Sequence, residues 1–177
     1  EELVNEIAAI LIPIYKQNHR DAEYMGICER KIDVAQDEFD KRSLYIEAAH
    51  VADEVLNDPD KAFGFIEKAL VANPSDDEIV ELAETIASRH ERYTTLTVLC
   101  EKVIETADDP DASIKLSLIA AKYYEQQLTD LDKSIAQYER ILGIDAMNED
   151  ALSNLHRLYR QTQQFDKLAD ILATRID

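Results

Sequence analysis

An all-α fold made of stacked helical hairpins is predicted by three observations. Only three glycines and four prolines occur in 177 residues, too few for the tight turns a sheet protein needs. Ala, Leu, Glu, Lys, Asp and Ile dominate instead, a composition that favours helix. The third observation is internal: "DKAFGFIEKALVANP" (Asp60 to Pro74) is echoed 72 positions later by "DKSIAQYERILGIDA" (Asp132 to Ala146). Sliding the chain by 72 residues without a gap places Leu44, Ala48, Ala49, Leu56, Leu70, Leu96, Leu99 and Ile104 on Leu116, Ala120, Ala121, Leu128, Leu142, Leu168, Ile171 and Ile176. Of the 65 pairs so aligned 11 are identical, so the repeat rests on which positions match rather than on how many.

Within each 72-residue unit the helical period of apolar residues is broken four times, at 57–60, 73–77, 90–93 and 106–111 in the best-defined copy, which makes each unit four helices. Short connections of this kind pair neighbouring helices antiparallel. Five hairpins result, at about 2–37, 41–74, 76–107, 111–146 and 148–177, forming one repeat domain. In the first hairpin Pro13 stands inside "AAILIPIYKQ", where it removes a hydrogen bond and should kink the helix. Asp58-Pro59 and Asp109-Pro110 each offer an N-cap acceptor followed by proline at the first helical position. "SDDE", Ser75 to Glu78, reads as a capping box. The second and fourth hairpins turn through "LNDPDKA" and "LTDLDKS", slightly longer than "SRHERYTTL" and "RQTQQFDKL". Equivalent first-helix positions Ala8, Tyr45, Val80, Ser117 and Leu152 accordingly alternate between spacings of 37 and 35.

This hairpin resembles the tetratricopeptide repeat, in the slightly lengthened form of large bacterial arrays. Ala62, Ile66, Ala69 and Pro74 stand at the family's second-helix positions, Ala49 and Ala121 at its small first-helix position, and Tyr15, Tyr124 and Tyr159 at its aromatic one; Ala52 and Ala87 depart from it. The resemblance implies a right-handed α-solenoid, since one hairpin cannot bury its apolar stripe alone. Its core should contain Leu44, Ala48, Ile66, Leu70, Ala83, Ile86, Leu99, Ile119, Ala120, Tyr138, Leu142, Leu155, Leu158, Ile171 and Leu172. Cys28 and Cys100 fall at the second-helix core slot held by Ile66, Tyr138 and Leu172 and, two hairpins apart, do not meet; they read as buried thiols of a reduced protein.

The net charge of −18 argues against nucleic acid and anionic membranes as partners, and no apolar run approaches the 18 or so residues of a membrane span. The chain opens at Glu1 without an initiator Met, so it is read as a segment of something longer, with the cytoplasm as the default compartment for free thiols. No nucleophile motif, phosphate loop or metal signature is present, and no cofactor is expected. His19, His50, His90 and His156 read as surface or groove residues. Paired acids such as Asp76-Asp77 and Asp108-Asp109 read as helix caps rather than calcium ligands.

What remains is binding. Ligands of the resembling family lie along a concave groove lined by the first helix of each hairpin. The matching positions here are Lys16 and Gln17; Ile46, His50 and Asp53; Glu81, Thr85, Ser88 and Arg89; Lys115, Leu118, Lys122 and Glu125; and Ser153, Arg157, Arg160 and Gln161. The family's Lys-and-Asn clamp for a C-terminal carboxylate is not reproduced, which disfavours a chaperone-type ligand. Residues 76–111 carry 3 basic and 11 acidic side chains, whereas 112–177 carry 8 and 10, and four of those eight are groove positions. Arg89, Lys115, Lys122, Arg157 and Arg160 would then form a basic stripe suited to an acidic or phosphorylated peptide. The expected function is thus a non-catalytic protein-interaction scaffold. The competing expectation is a spacer within a longer array, with an empty groove. Leu168, Ile171, Leu172 and Ile176 give the last helix an uncovered apolar side, which chain continuation or a second molecule, as in a homo-oligomer, would cover.

Overall fold

The structure, a computed structural model, describes residues 1–174. Ile176 and the end of the fifth expected hairpin lie outside them. Among the described residues there are ten α-helices: α1 (Glu2–Gln17), α2 (Asp21–Val34), α3 (Glu38–His50), α4 (Pro59–Ala72), α5 (Asp77–His90), α6 (Tyr93–Thr106), α7 (Pro110–Gln126), α8 (Leu131–Ile144), α9 (Glu149–Gln161) and α10 (Phe165–Thr174). A π-helical turn, Val51–Val55, continues α3. The chain forms two compact units, Glu1–Arg92 and Tyr93–Asp177, so the expected third hairpin spans the boundary between them.

In the first unit α1 packs on α2, α2 on α3, α3 on α4 and α4 on α5; in the second α6 packs on α7, α7 on α8, α8 on α9 and α9 on α10. Within each unit each helix thus packs on the one before it, as stacked hairpins require. The 72-residue period is written in the backbone as well. One non-glycine residue takes positive φ at each hairpin turn: His19, Asn57, Glu91, Thr129 and Gln163. His19, Glu91 and Gln163 are 72 apart, as are Asn57 and Thr129. The three shorter turns close identically, Arg20, Arg92 and Gln164 each donating N–H to the carbonyl five residues back (Tyr15, Ala87 and Tyr159) at 2.9 Å. In the two longer turns Asp58 and Asp130 reach one residue further, to Ala52 and Tyr124, at 2.8 Å. That extra residue is the physical content of the alternating spacing.

A β-branched side chain pays most for positive φ, and exposed Thr129 is the one such residue among the five. Thr129→Gly should therefore stabilise the second unit by about 1 kcal/mol, read as a higher urea midpoint. A lower midpoint would mean that the Thr129 hydroxyl, bonded to the Leu128 carbonyl at 2.7 Å, outweighs the backbone strain.

Asp58 and Asp109 cap α4 and α7 as expected, accepting from Lys61 N and from Asp111 and Ala112 N. The third expected cap is corrected: Asp76, not Ser75, caps α5 by accepting from Ile79 N, because Arg42 holds that carboxylate at the helix start. Asp37, which the sequence reading passes over, caps α3. Pro13 does not break α1; the carbonyl left without its helical donor belongs to Ala9, on an exposed side of the helix.

Ala48, Ile66, Leu70, Ala83, Ile86, Leu99, Ala120, Tyr138, Leu155, Leu158 and Ile171 are buried, as are Cys28 and Cys100. Burial pushes the Cys28 thiol up to about 11, so it rests protonated. Leu44, Ile119 and Leu142 are half-buried. Leu172 is 41% exposed, because α10 packs on α9 and no described helix follows to cover its other side.

Candidate functional site

The first helices present their polar positions on shared faces, and ion pairs between neighbouring helices define those faces. In the second unit Arg157 of α9 donates from Nη1 and Nη2 to the two carboxylate oxygens of Glu125 on α7, both at 2.7 Å, and also bonds Asn154 at 3.1 Å. The Glu125 carboxylate raises the Arg157 guanidinium pKa above its ordinary value. Arg160 and Gln161 are exposed on the last turn of α9, and Arg160 has no ion pair among the described residues. On α7 Lys122 is exposed and lies over the Tyr123 ring at 4.8 Å, while Lys115 is half-buried.

In the first unit Arg89, near the end of α5, donates to Asp53 of the π-turn and stands 3.9 Å from Glu54. Its neighbour His90 meets the other Asp53 oxygen at 2.5 Å. Asp53 is 3% exposed, so its expected place as a groove-facing residue is corrected: the carboxylate points inward, where the Arg89 guanidinium pairs with it and the His90 ring meets its other oxygen. His90 is likewise drawn into this cluster, with a side chain only 16% exposed. The π-turn places Asp53 there, one extra residue in the turn swinging the side chain inward. His50, just before that turn, is exposed and 3.7 Å from Glu54. It borders a cleft of about 450 Å³ lined also by Lys16, His19, Tyr24 and Glu47.

The 72-residue register links the two clusters. Glu125 is the counterpart of Asp53, and each is answered by an arginine of the next first helix. Arg89 corresponds to Gln161, whereas Arg157 lies one helical turn earlier, so the pairing is kept while the register of the arginine changes. The expected basic residues are therefore distributed over two units, Arg89 in the first and Lys115, Lys122, Arg157 and Arg160 in the second. Among the described residues no group of three or more His, Cys, Asp or Glu is arranged to hold a metal ion, and no helix is long and apolar enough to cross a membrane.

No family model matches the chain and no curated protein matches it. Among solved structures, one titled "Crystal structure of MamA" overlays with a TM-score of 0.47 at 13% identity, over 92% of this chain and 90% of that one. A second, titled "Crystal structure of MamA protein", gives 0.47 at 12% identity over 98% and 91%. Likeness at this level transfers neither residue roles nor partners.

Proposed function

We propose that this chain is a non-catalytic protein-interaction scaffold of tetratricopeptide-like type, receiving a partner segment along the exposed face of its first helices. The supporting observation is the cross-helix pair of Arg157 and Glu125, which sets the α7 and α9 faces side by side with Lys122, Arg160 and Gln161 exposed on them. Arg157 keeps a side chain 46% exposed while bonded, so its guanidinium remains within reach of a carboxylate or phosphate arriving from solvent. The partner this favours is an acidic segment that takes over from Glu125. Arg89 is a weaker candidate in the first unit, since its charge is already directed at Asp53.

The test is a fluorescent acidic peptide titrated into the chain at low salt. Arg157→Glu combined with Arg160→Glu should abolish binding while far-ultraviolet helicity is retained; unchanged binding would sink the reading and leave the hairpins as a spacer. Glu125→Gln should tighten binding by about fivefold, the equivalent of roughly 1 kcal/mol released when a surface competitor is removed.

A further inference from the structure

Among the described residues, four exposed large apolar side chains lie along α1. Leu3, Ile7, Ile10 and Ile14 are 66%, 43%, 65% and 45% exposed, whereas Ala8, on the side packed against α2, is 2% exposed. Their spacings are 4, 3 and 4, the a/d seam of a helix that packs lengthwise on another helix. A strand or an irregular peptide would match that seam over one turn only; a helix crossing at about 20° stays on it throughout.

The border of the seam is acidic. Projected at 100° per residue, Glu2 and Glu6 flank it on one side, and with Glu1, Asn5 and Ala9 they line a shallow hollow. None of these three glutamates has a cationic partner among the described residues. Polar Asn18 and apolar Val4 and Leu11 lie along the other side. A second copy of this chain suits the seam poorly. It would bring two chains of charge −18 together, with the Glu2 and Glu6 edges of both copies at the contact.

We infer that the outer face of α1 is a docking surface for an amphipathic helix of a partner protein, one with an apolar 3–4 seam and lysines or arginines along the edge that meets Glu2 and Glu6. Burial of the seam supplies the affinity, and the glutamates choose among otherwise similar helices by charge. This surface is independent of the acidic-peptide reading, and its ligand has the opposite charge.

Two synthetic helical peptides with the same leucine seam, one edged with lysine and the other with glutamate, test the inference by fluorescence anisotropy against the whole chain. The lysine-edged peptide should bind about tenfold more tightly at low salt, with the gap shrinking as salt screens it. Glu2→Lys with Glu6→Lys should invert the preference. Ile7→Asp with Ile10→Asp, both at exposed positions, should abolish binding of both peptides without loss of far-ultraviolet helicity. The inference fails if the two peptides bind alike, if neither binds, or if the charge reversal leaves the order unchanged. It fails also if the chain sediments as a dimer that the Ile7/Ile10 variant converts to monomer, since the seam would then belong to a second copy. Arg157→Glu with Arg160→Glu should leave lysine-edged binding untouched, which separates failure here from failure of the groove reading.

Discussion

Truncating Arg89 and His90 together to alanine should destabilise the first unit by about 3 kcal/mol, toward the lower end of what stranding a buried charge costs. Asp53 has a side chain only 1% exposed, and its oxygens face the Arg89 guanidinium and the His90 ring. Without them a carboxylate is left in the interior with neither charge nor hydrogen bond to offset its lost hydration. The effect falls short of the extreme because Arg89 is itself 45% exposed, so solvent already screens part of the attraction. Replacing Asp53 as well, by asparagine in the truncated background, should restore part of the loss, since it removes the stranded charge. Urea unfolding of the unsubstituted chain and the two variants measures this, and equal stability of all three would show that the cluster contributes little. There is a consequence for function. Arg89→Ala alone would weaken the packing of α5 as well as remove a candidate binding side chain, and Arg157 likewise pairs with Glu125, so Arg160, without an ion pair among the described residues, gives the cleaner reading of ligand contact.

The repeat was legible in the sequence because it is carried by many weak signals in one register. The Asp-Pro starts at Asp58 and Asp109, the apolar period and the alternating turn lengths all agree, and α4, α7 and α8 begin where they indicate. The sequence was less informative where a side chain's direction depends on a partner far along the chain. Asp53 reads as groove-facing by helical phase, yet the π-turn shifts that phase and Arg89 and His90 draw the carboxylate in. Ser75 loses the cap of α5 to Asp76 because Arg42, 34 positions away, binds Asp76. Leu172 shares a slot with Ile66, but no described helix packs after α10 as α5 packs on α4. The 4, 3, 4 spacing of Leu3, Ile7, Ile10 and Ile14 stands in the sequence, but the same spacing describes a packed core face, and only the fold leaves this one exposed.

Arg42→Ala should have an effect of similar size and a distinctive pH dependence. Arg42 of α3 donates from Nε and Nη2 to the Asp76 carboxylate at 2.5 and 2.9 Å and from Nη2 to Glu78 at 2.6 Å, fastening the start of α5 to α3. Asp76 has a side chain 6% exposed, so loss of its cation should cost about 3 kcal/mol at neutral pH. The Arg42 hydrogen bond holds the Asp76 carboxyl below the usual carboxylate range, against burial, which pushes it up; the Ile79 backbone N–H adds to the lowering. A carboxyl with a depressed folded-state pKa contributes stability that is complete above its unfolded value, about 3.9, and that drains away as pH falls through the folded value. In the native chain this part of the acid transition therefore lies below pH 4 or so. With Arg42 gone, burial is the dominant influence left on Asp76 and its pKa rises, so acidification no longer removes stability through this carboxyl, and the gap between variant and native chain should narrow as pH falls through the native Asp76 pKa. A parallel shift of stability, with the same pH profile in both proteins, would show that Arg42 acts through its packing on α3 rather than through the charge of Asp76.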